Sequence, residues 1–301
     1  MTSSPRSSMN PLRPVRRLFR RLRKPLLLFM VTIPVLVFIY LPVVWLLISS
    51  ISTRAEILSV PIHWIPQEPT FKNYLDILTP GKAVSEVART FKITLRNSFF
   101  IASSVTLISL LIGSLAAYAL VRIAIPFRQG MLLAIMGTRM IPEVSLVIPL
   151  YILATRLHLY NTPYVLILTY LSFALPFSIW LMAAFFETIP VELEDAARID
   201  GCSRLKILFR IILPISAPGL VSTALFVFLT AWDEFFFALI FTSTVAAKTV
   251  PVAIAEFTGR YVVDIGGMMT GGVLAAIPPV LLALVFQRYI VSGLTAGAVK
   301  G

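Results

Sequence analysis

The chain has 301 residues, 58% of them hydrophobic and 13% charged, with a mean hydropathy of +0.90 and a formal charge of +12. Soluble domains carry about 25% charged residues, so the composition excludes a soluble enzyme and a disordered chain and points to residence in a bilayer. A single cysteine, Cys202, excludes a disulfide scaffold.

The basic excess is concentrated at one end and does not read as a nucleic-acid surface. Residues 1–24 hold Arg6, Arg13, Arg16, Arg17, Arg20, Arg21, Arg23 and Lys24 with no acid. This tail precedes a charge-free run at 25–51, where the positive-inside bias acts most strongly, so the N-terminus is expected in the cytoplasm. A signal peptide is the rival reading. Its apolar core is about 7–15 residues long and ends at a small-residue cleavage site. The run here has 27 residues and leads into Thr53, Arg54 and Ala55, which favours a retained first helix.

Residues 52–92 form a loop of different composition, with Pro61, Pro66, Pro69 and Pro80 among polar residues and Trp64, Phe71 and Tyr74. Proline at that spacing breaks long helices into short pieces, and the loop reads as an extracytoplasmic cap. Apolar windows then recur at 97–121, 131–154, 163–186, 219–241 and 271–290, each long enough to cross a hydrocarbon core of about 30 Å. The expected fold is an all-α integral membrane protein with six transmembrane helices and both termini cytoplasmic. The expected divisions are a basic tail 1–24, a first helix 25–51, the loop 52–92, a permease-like core 93–291 and a C-terminal tail 292–301. The loop carries six basic residues beside Glu56, Glu68, Asp76 and Glu86 when counted to Arg96, which makes orientation the weakest link in this topology.

Catalytic signatures are missing. There is no G-x-x-x-x-G-K-[ST] loop, no H-E-x-x-H and no G-x-S-x-G elbow. With His63, His158 and Cys202 as the whole His/Cys set, no metal site is expected. The pairs Gly266-Gly267 and Gly271-Gly272 enter an apolar helix, so close helix packing or a flexible loop accounts for them better than a phosphate cradle.

One polar segment, 187–218, lies between two spans. Pro190 suits a first helical turn, Glu192, Glu194 and Asp195 suit the positive end of the helix dipole, and Gly201 permits the left-handed residue that closes a helix. A second short helix follows with an apolar stripe at Leu205, Leu208, Phe209 and Ile212, flanked by Arg204, Lys206 and Arg210 and stopped by Pro214. Two readings stand: an amphipathic connector on lipid headgroups, or a docking element for a protein. Ala196 and Ala197 offer a small face for another backbone, and the acidic cluster would be repelled by an anionic leaflet.

The spacing Asp195-Ala196-Ala197, Gly201, Ile211, Leu213-Pro214 resembles the signature loop of ABC-importer permeases, with Asp195 where the family usually has Glu. Further strings resemble its maltose-type carbohydrate branch: Arg96-Asn97-Ser98, Ala116-Ala117-Tyr118-Ala119, Ile148-Pro149-Leu150-Tyr151, Phe173-Ala174-Leu175-Pro176-Phe177, Trp232-Asp233-Glu234-Phe235 and the terminal stretch from Gly293. The resemblance runs from about residue 93 to the last residue. It implies a coupling helix in which Asp195, Ala196, Ala197 and Gly201 face a socket on a cytoplasmic ATPase, flanked by Glu194 and Arg198, with Leu213 and Pro214 completing the loop. It also implies that Gly297, Ala298, Val299, Lys300 and Gly301 reach the ATPase pair, and that the external loop 242–270 approaches a binding protein. The implied partners are a second, homologous permease, an ATPase dimer, an extracytoplasmic sugar-binding protein and membrane lipid. ATP and magnesium would be held by the ATPases, with no cofactor on this chain.

Arg139, Glu143, Asp233 and Glu234 fall inside apolar windows. At about 2.5–3.5 kcal/mol each in lipid they are expected to face protein or a water-filled path. Arg139 and Glu143 have the spacing to pair within one helix. Structural neutralisation and substrate contact are both open, and Tyr151, Trp232, Asp233 and Glu234 join Arg139 and Glu143 as candidates for a translocation path. The expected function is a subunit of an ATP-driven importer of a di- or oligosaccharide, such as a maltose- or trehalose-like glucoside. A permease for a phosphorylated polyol and a self-contained secondary transporter or channel are the alternatives. An intramembrane enzyme has no residue constellation behind it.

Overall fold

The computed structural model describes residues 13–79, 86–259 and 263–298. Among the described residues all the long elements are helices, and β pairing is limited to an isolated bridge between Thr258 and Val263. Helix α1, Arg13–Ser50, begins inside the basic stretch rather than after it, because Arg and Lys are good helix formers and Pro14 falls in the first turn, where a missing N–H is harmless. Its apolar part lies against α14 (Ile265–Ala298) but otherwise faces outward, with Phe38 81% exposed. Its C-terminal end is fastened: the Thr270 hydroxyl lies 3.2 Å from the Ser50 carbonyl oxygen, and Trp45 meets Trp64 edge to face.

The loop that follows contains two short helices, α2 (Arg54–Ile57) and α3 (Lys72–Leu78), as the proline spacing predicts. The Glu56 carboxylate organises it, accepting from the backbone N–H groups of Thr53, Gln67 and Glu68 at 3.3, 2.7 and 2.9 Å. Helix α4, Glu86–Arg122, starts earlier than expected and takes in residues 86–92 of the predicted loop. Its 37 residues reach about 55 Å at 1.5 Å per residue, well beyond a hydrocarbon core of about 30 Å.

The predicted third span is not one helix. Helix α5 (Arg128–Gly137) ends in a 3-10 turn, Thr138–Met140, and α6 (Glu143–Arg156) departs at 86°. Pro142 has no N–H and crowds Ile141, which is extended at φ −71°, ψ 121°. Helix α7, Pro163–Glu187, opens on proline and packs along α4. A Cβ on Gly113 would come within 2.9 Å of the Ser178 Cβ, so only glycine allows that approach.

The polar segment comprises α8 (Glu192–Ile199), α9 (Arg204–Ile207), a five-residue π turn Leu208–Ile212, and α10 (Leu213–Ile215). Pro190 lies ahead of α8 rather than in its first turn, and Pro214 sits in the opening turn of α10, where a missing N–H is harmless. The run turns 83° beyond Ile215, between Pro214 and Pro218, into α11 (Ala217–Trp232). The predicted fifth span is also interrupted: α11 stops at Trp232, and α12 (Phe236–Phe241) begins anew. Helix α13 (Val250–Glu256) precedes α14, which takes in residues 292–298 of the predicted C-terminal tail.

Among the described residues four helices are long and apolar enough to cross a membrane, at Leu28–Ser50, Glu86–Arg122, Pro163–Glu187 and Ile265–Tyr289, and the two bent pairs raise the number to at most six. The main core lies where α4, α7, α11 and α12 meet, around Ile101, Leu166, Tyr170, Phe237 and Phe241. A second, smaller core sits beneath α8 and α9. Gly271 and Gly272 serve close packing, since Cβ atoms there would press on Phe91 at 3.1 Å and Leu46 at 3.3 Å.

Candidate functional site

Helix α8 is built from its ends inward. Three acids occupy its first turn and Arg198 its last, matching the helix dipole. Gly201 has φ +74°, the Gly201 N–H donates to the Arg198 carbonyl at 3.0 Å, and the Cys202 N–H donates to the Ala197 carbonyl at 2.9 Å. This double closure requires a left-handed residue, which is why glycine follows Asp200. Ser203 then caps α9 through the Lys206 N–H at 3.4 Å.

The inward face of α8 carries Glu194 and Ala197. Glu194 is fully buried at 0% exposure, and its carboxylate accepts from the Tyr118 hydroxyl at 2.9 Å and pairs with Arg122 Nε. Arg122 is itself only 7% exposed and donates from its other arm to the carbonyls of Phe186 at 2.9 Å and Ile189 at 2.8 Å. Ala197, at 6% exposure, packs in the core formed by Ala117, Met182, Phe186, Ile207 and Leu208. This corrects the expectation that Ala197 offers a small outward surface and that Glu194 flanks one: both anchor α8 to its own chain, because residues three apart share one helix face and here that face meets the core.

The outward face is Glu192, Leu193, Asp195, Ala196, Arg198, Ile199 and Asp200. Asp195 and Arg198 pair at 2.9 Å across one turn. Ile199 is 87% exposed in the midst of these charges, an apolar centre in a polar rim that sequence reasoning missed. The stripe expected on the second helix is also revised. Leu208 and Ile212 are buried, but Leu205 and Phe209 are exposed and Ile207 takes the inner place, since the π turn shifts the register. Leu213 is half-buried and Pro214 exposed. Gly297 and Ala298 lie in the last turn of α14, and Val299, Lys300 and Gly301 fall outside the described residues.

The intramembrane candidates separate into two groups. Arg139 and Glu143 lie on opposite sides of the Pro142 break, so the expected pairing along one helix does not form among the described residues. The Arg139 guanidinium instead sits 5.6 Å from the centre of the Phe177 ring. Glu143 occupies the first turn of α6. Tyr151 stacks with Phe241 and meets Tyr160 edge to face. Near the other break, the Glu234 carboxylate accepts from the N–H groups of Phe237 at 2.7 Å and Ala238 at 3.1 Å, capping α12. Trp232 is buried and donates to the Ala275 carbonyl at 3.2 Å. Asp233 remains exposed and lines, with Trp232, Phe235, Pro251 and Gly272, a cavity of about 590 Å³.

Tyr118 and Arg122, which hold this anchor, are side chains that sequence reasoning passes over. They share a helix face at i and i+4, and two donors at the end of an apolar helix with no acid in the next turn require an acceptor from elsewhere.

Residues 109–296 match the model of the binding-protein-dependent transport system inner membrane component family. The trehalose/maltose transport system permease protein of Thermococcus litoralis is 41% identical over 92% of this chain and 98% of its own length. The trehalose transport system permease protein of Mycobacterium tuberculosis is 38% identical over 87% of this chain and 92% of its own. The fold is similar to a chain in the crystal structure of a bacterial ABC transporter involved in the import of the acidic polysaccharide alginate, with a TM-score of 0.73 at 22% identity over 95% of this chain and 99% of that one. A buried anchor beneath a helix with a charged outer face, joined to long apolar helices, is therefore the setting in which this chain belongs to the family of binding-protein-dependent transport system inner membrane components.

Proposed function

We propose that the chain is one permease subunit of an ATP-driven, binding-protein-dependent importer of a di- or oligosaccharide of the trehalose or maltose type. It forms half of a translocation path beside a second, similar permease. Each bent helix pair completes one crossing, giving six spans with both termini in the cytoplasm, the cap at 52–79 outside and the α8–α10 platform inside. ATP hydrolysis, with its magnesium, belongs to a pair of separate cytoplasmic subunits.

The observation that carries this reading is the outer face of α8: Asp195, Arg198 and Asp200 ring the exposed Ile199 on a helix fixed from behind by Glu194. A lipid-resting helix needs a continuous apolar face, and α8 spends its inner residues on its own core instead. An exposed apolar residue inside a polar rim is the arrangement of a protein docking surface. The carbohydrate class is supported by the relatives' substrates together with Trp232 and Asp233 at the α11–α12 break and Tyr151 on α6, aromatic and hydrogen-bonding groups of the kind that sugars require.

The test is reconstitution of the chain with its partner permease, ATPases and binding protein in liposomes. Trehalose or maltose uptake that requires ATP inside and binding protein outside is the expected result. Uptake by this chain alone without ATP would establish a self-contained transporter in its place.

A further inference from the structure

We infer that Glu194 is a positioning residue that locks α8 to the inner ends of α4 and α7, so that the three move as one rigid body when the outer face of α8 is displaced. The inference rests on the importer reading above and adds to it the chain's own transmission joint.

Three elements converge on one guanidinium–carboxylate pair. Tyr118 and Arg122 come from the last turns of α4, the carbonyls of Phe186 and Ile189 from the end of α7, and Glu194 from the first turn of α8. The contacts bridge 64 to 76 residues of sequence, so they are tertiary and not a by-product of local folding. Arg122 is the centre of the joint. Its fork engages the carboxylate through Nε and the two carbonyls through the other nitrogen, which ties α8 and α7 to α4 through a planar group that cannot follow one partner without the others.

A buried ion pair is a poor source of net stability, since desolvation offsets most of the Coulomb gain. It gives directional stiffness, because a fully buried pair has no water to replace a lost contact and slippage leaves a charge unpaired. Apolar packing at the same interface, around Ala117, Met182, Phe186 and Ala197, resists separation but tolerates sliding. Glu194 supplies what packing lacks. Arg198 lies 3.8 Å from the same carboxylate and 2.9 Å from Asp195, so it links the buried joint to the outer face.

The experiment uses the full complex in liposomes, measuring sugar uptake and ATP hydrolysis in the same preparation. Glu194→Gln keeps the shape and removes the charge, Tyr118→Phe removes one hydrogen bond with little risk to folding, and Arg122→Lys keeps the charge but loses the fork. Sugar moved per ATP hydrolysed should fall by about tenfold or more in Glu194→Gln and Arg122→Lys, a typical size for coupling between sites, and by less in Tyr118→Phe. Co-purification with the ATPases should persist, because the outer face of α8 is untouched.

A distance measurement supplies a readout that a merely structural role would not move. With Cys202 replaced by serine, spin labels at Val191→Cys and Ile123→Cys should keep one narrow separation through the nucleotide cycle, and Glu194→Gln should broaden it. An unchanged transport-to-hydrolysis ratio in assembled Glu194→Gln and Tyr118→Phe complexes would overturn the inference, as would a separation that shifts with nucleotide in the unaltered joint. A wild-type chain that neither retains ATPases nor needs ATP would instead overturn the importer reading, and this inference with it.

Discussion

Two glutamates organise two polar segments of the chain, the cap ahead of α4 and the platform beyond α7, and they do it by opposite means. Glu56 sits at the surface of the cap and gathers backbone N–H groups from within its own loop, with no cation in its set of bonds. Glu194 is buried beneath the platform and holds side chains from another helix, with a guanidinium as counter-charge. At the surface, water shares the charge and neutral donors are enough to shape a loop. In the interior, a carboxylate needs a cation, and a cation with several donors joins whatever elements it reaches. The cap is thus an adjustable local fold, and the platform is a joint.

The largest effect expected from breaking this contrast is at the joint. Glu194→Ala leaves Arg122 buried without a counter-charge, and a loss of about 3–5 kcal/mol is expected, read as a collapse of thermal stability in detergent. Ala197→Leu keeps the charges but overfills the core beneath α8, for about 1–3 kcal/mol, and should lower uptake per inserted chain while membrane insertion persists. Gly201→Val forces a branched residue into φ +74° at a cost of about 1–2 kcal/mol, and the same uptake assay should show a smaller deficit.

The smallest effect is at the cap and depends on pH. The N–H of Glu68 first, then those of Gln67 and Thr53, hold the Glu56 carboxyl below the usual range against a weaker opposing effect of desolvation. A pKa lowered on folding contributes stability that is complete above the unfolded value and lost as pH falls through the folded one. The protection of the Gln67 and Glu68 amides, measured against their intrinsic exchange rates, should therefore fall under acid, below the ordinary glutamate range. Glu56→Gln should abolish that pH dependence, and an unaltered profile in the variant would assign the effect to another group.

The apolar windows, the short helices of the cap and the Gly201 closure were legible in the sequence because each depends on local chemistry: hydropathy, proline and a left-handed residue. The breaks at Pro142 and Asp233 were hidden inside charge-free or nearly charge-free runs, since hydropathy averages over a window and is blind to a single turn. Charge gave a partial clue there. Arg139 and Glu143 fit one helix by spacing, yet the intervening proline sends them apart. The direction in which α8 faces was the least legible feature. Its composition suggested a small acidic surface, and only the tertiary arrangement separates Glu194 and Ala197 from Asp195 and Ala196.

The bend beyond Ile215 gives the platform a crank. The segment Arg204–Ile215 stands at 83° to α11, and its 12 residues extend about 18 Å at 1.5 Å per residue. A bar of that length set across a shaft turns a sideways push at its tip into rotation of the shaft about its own axis. A sweep of about ten degrees carries the tip about 3 Å on that lever arm. The same sweep would turn Trp232 and the exposed Asp233, at the far end of α11, around the helix axis without lengthening any helix.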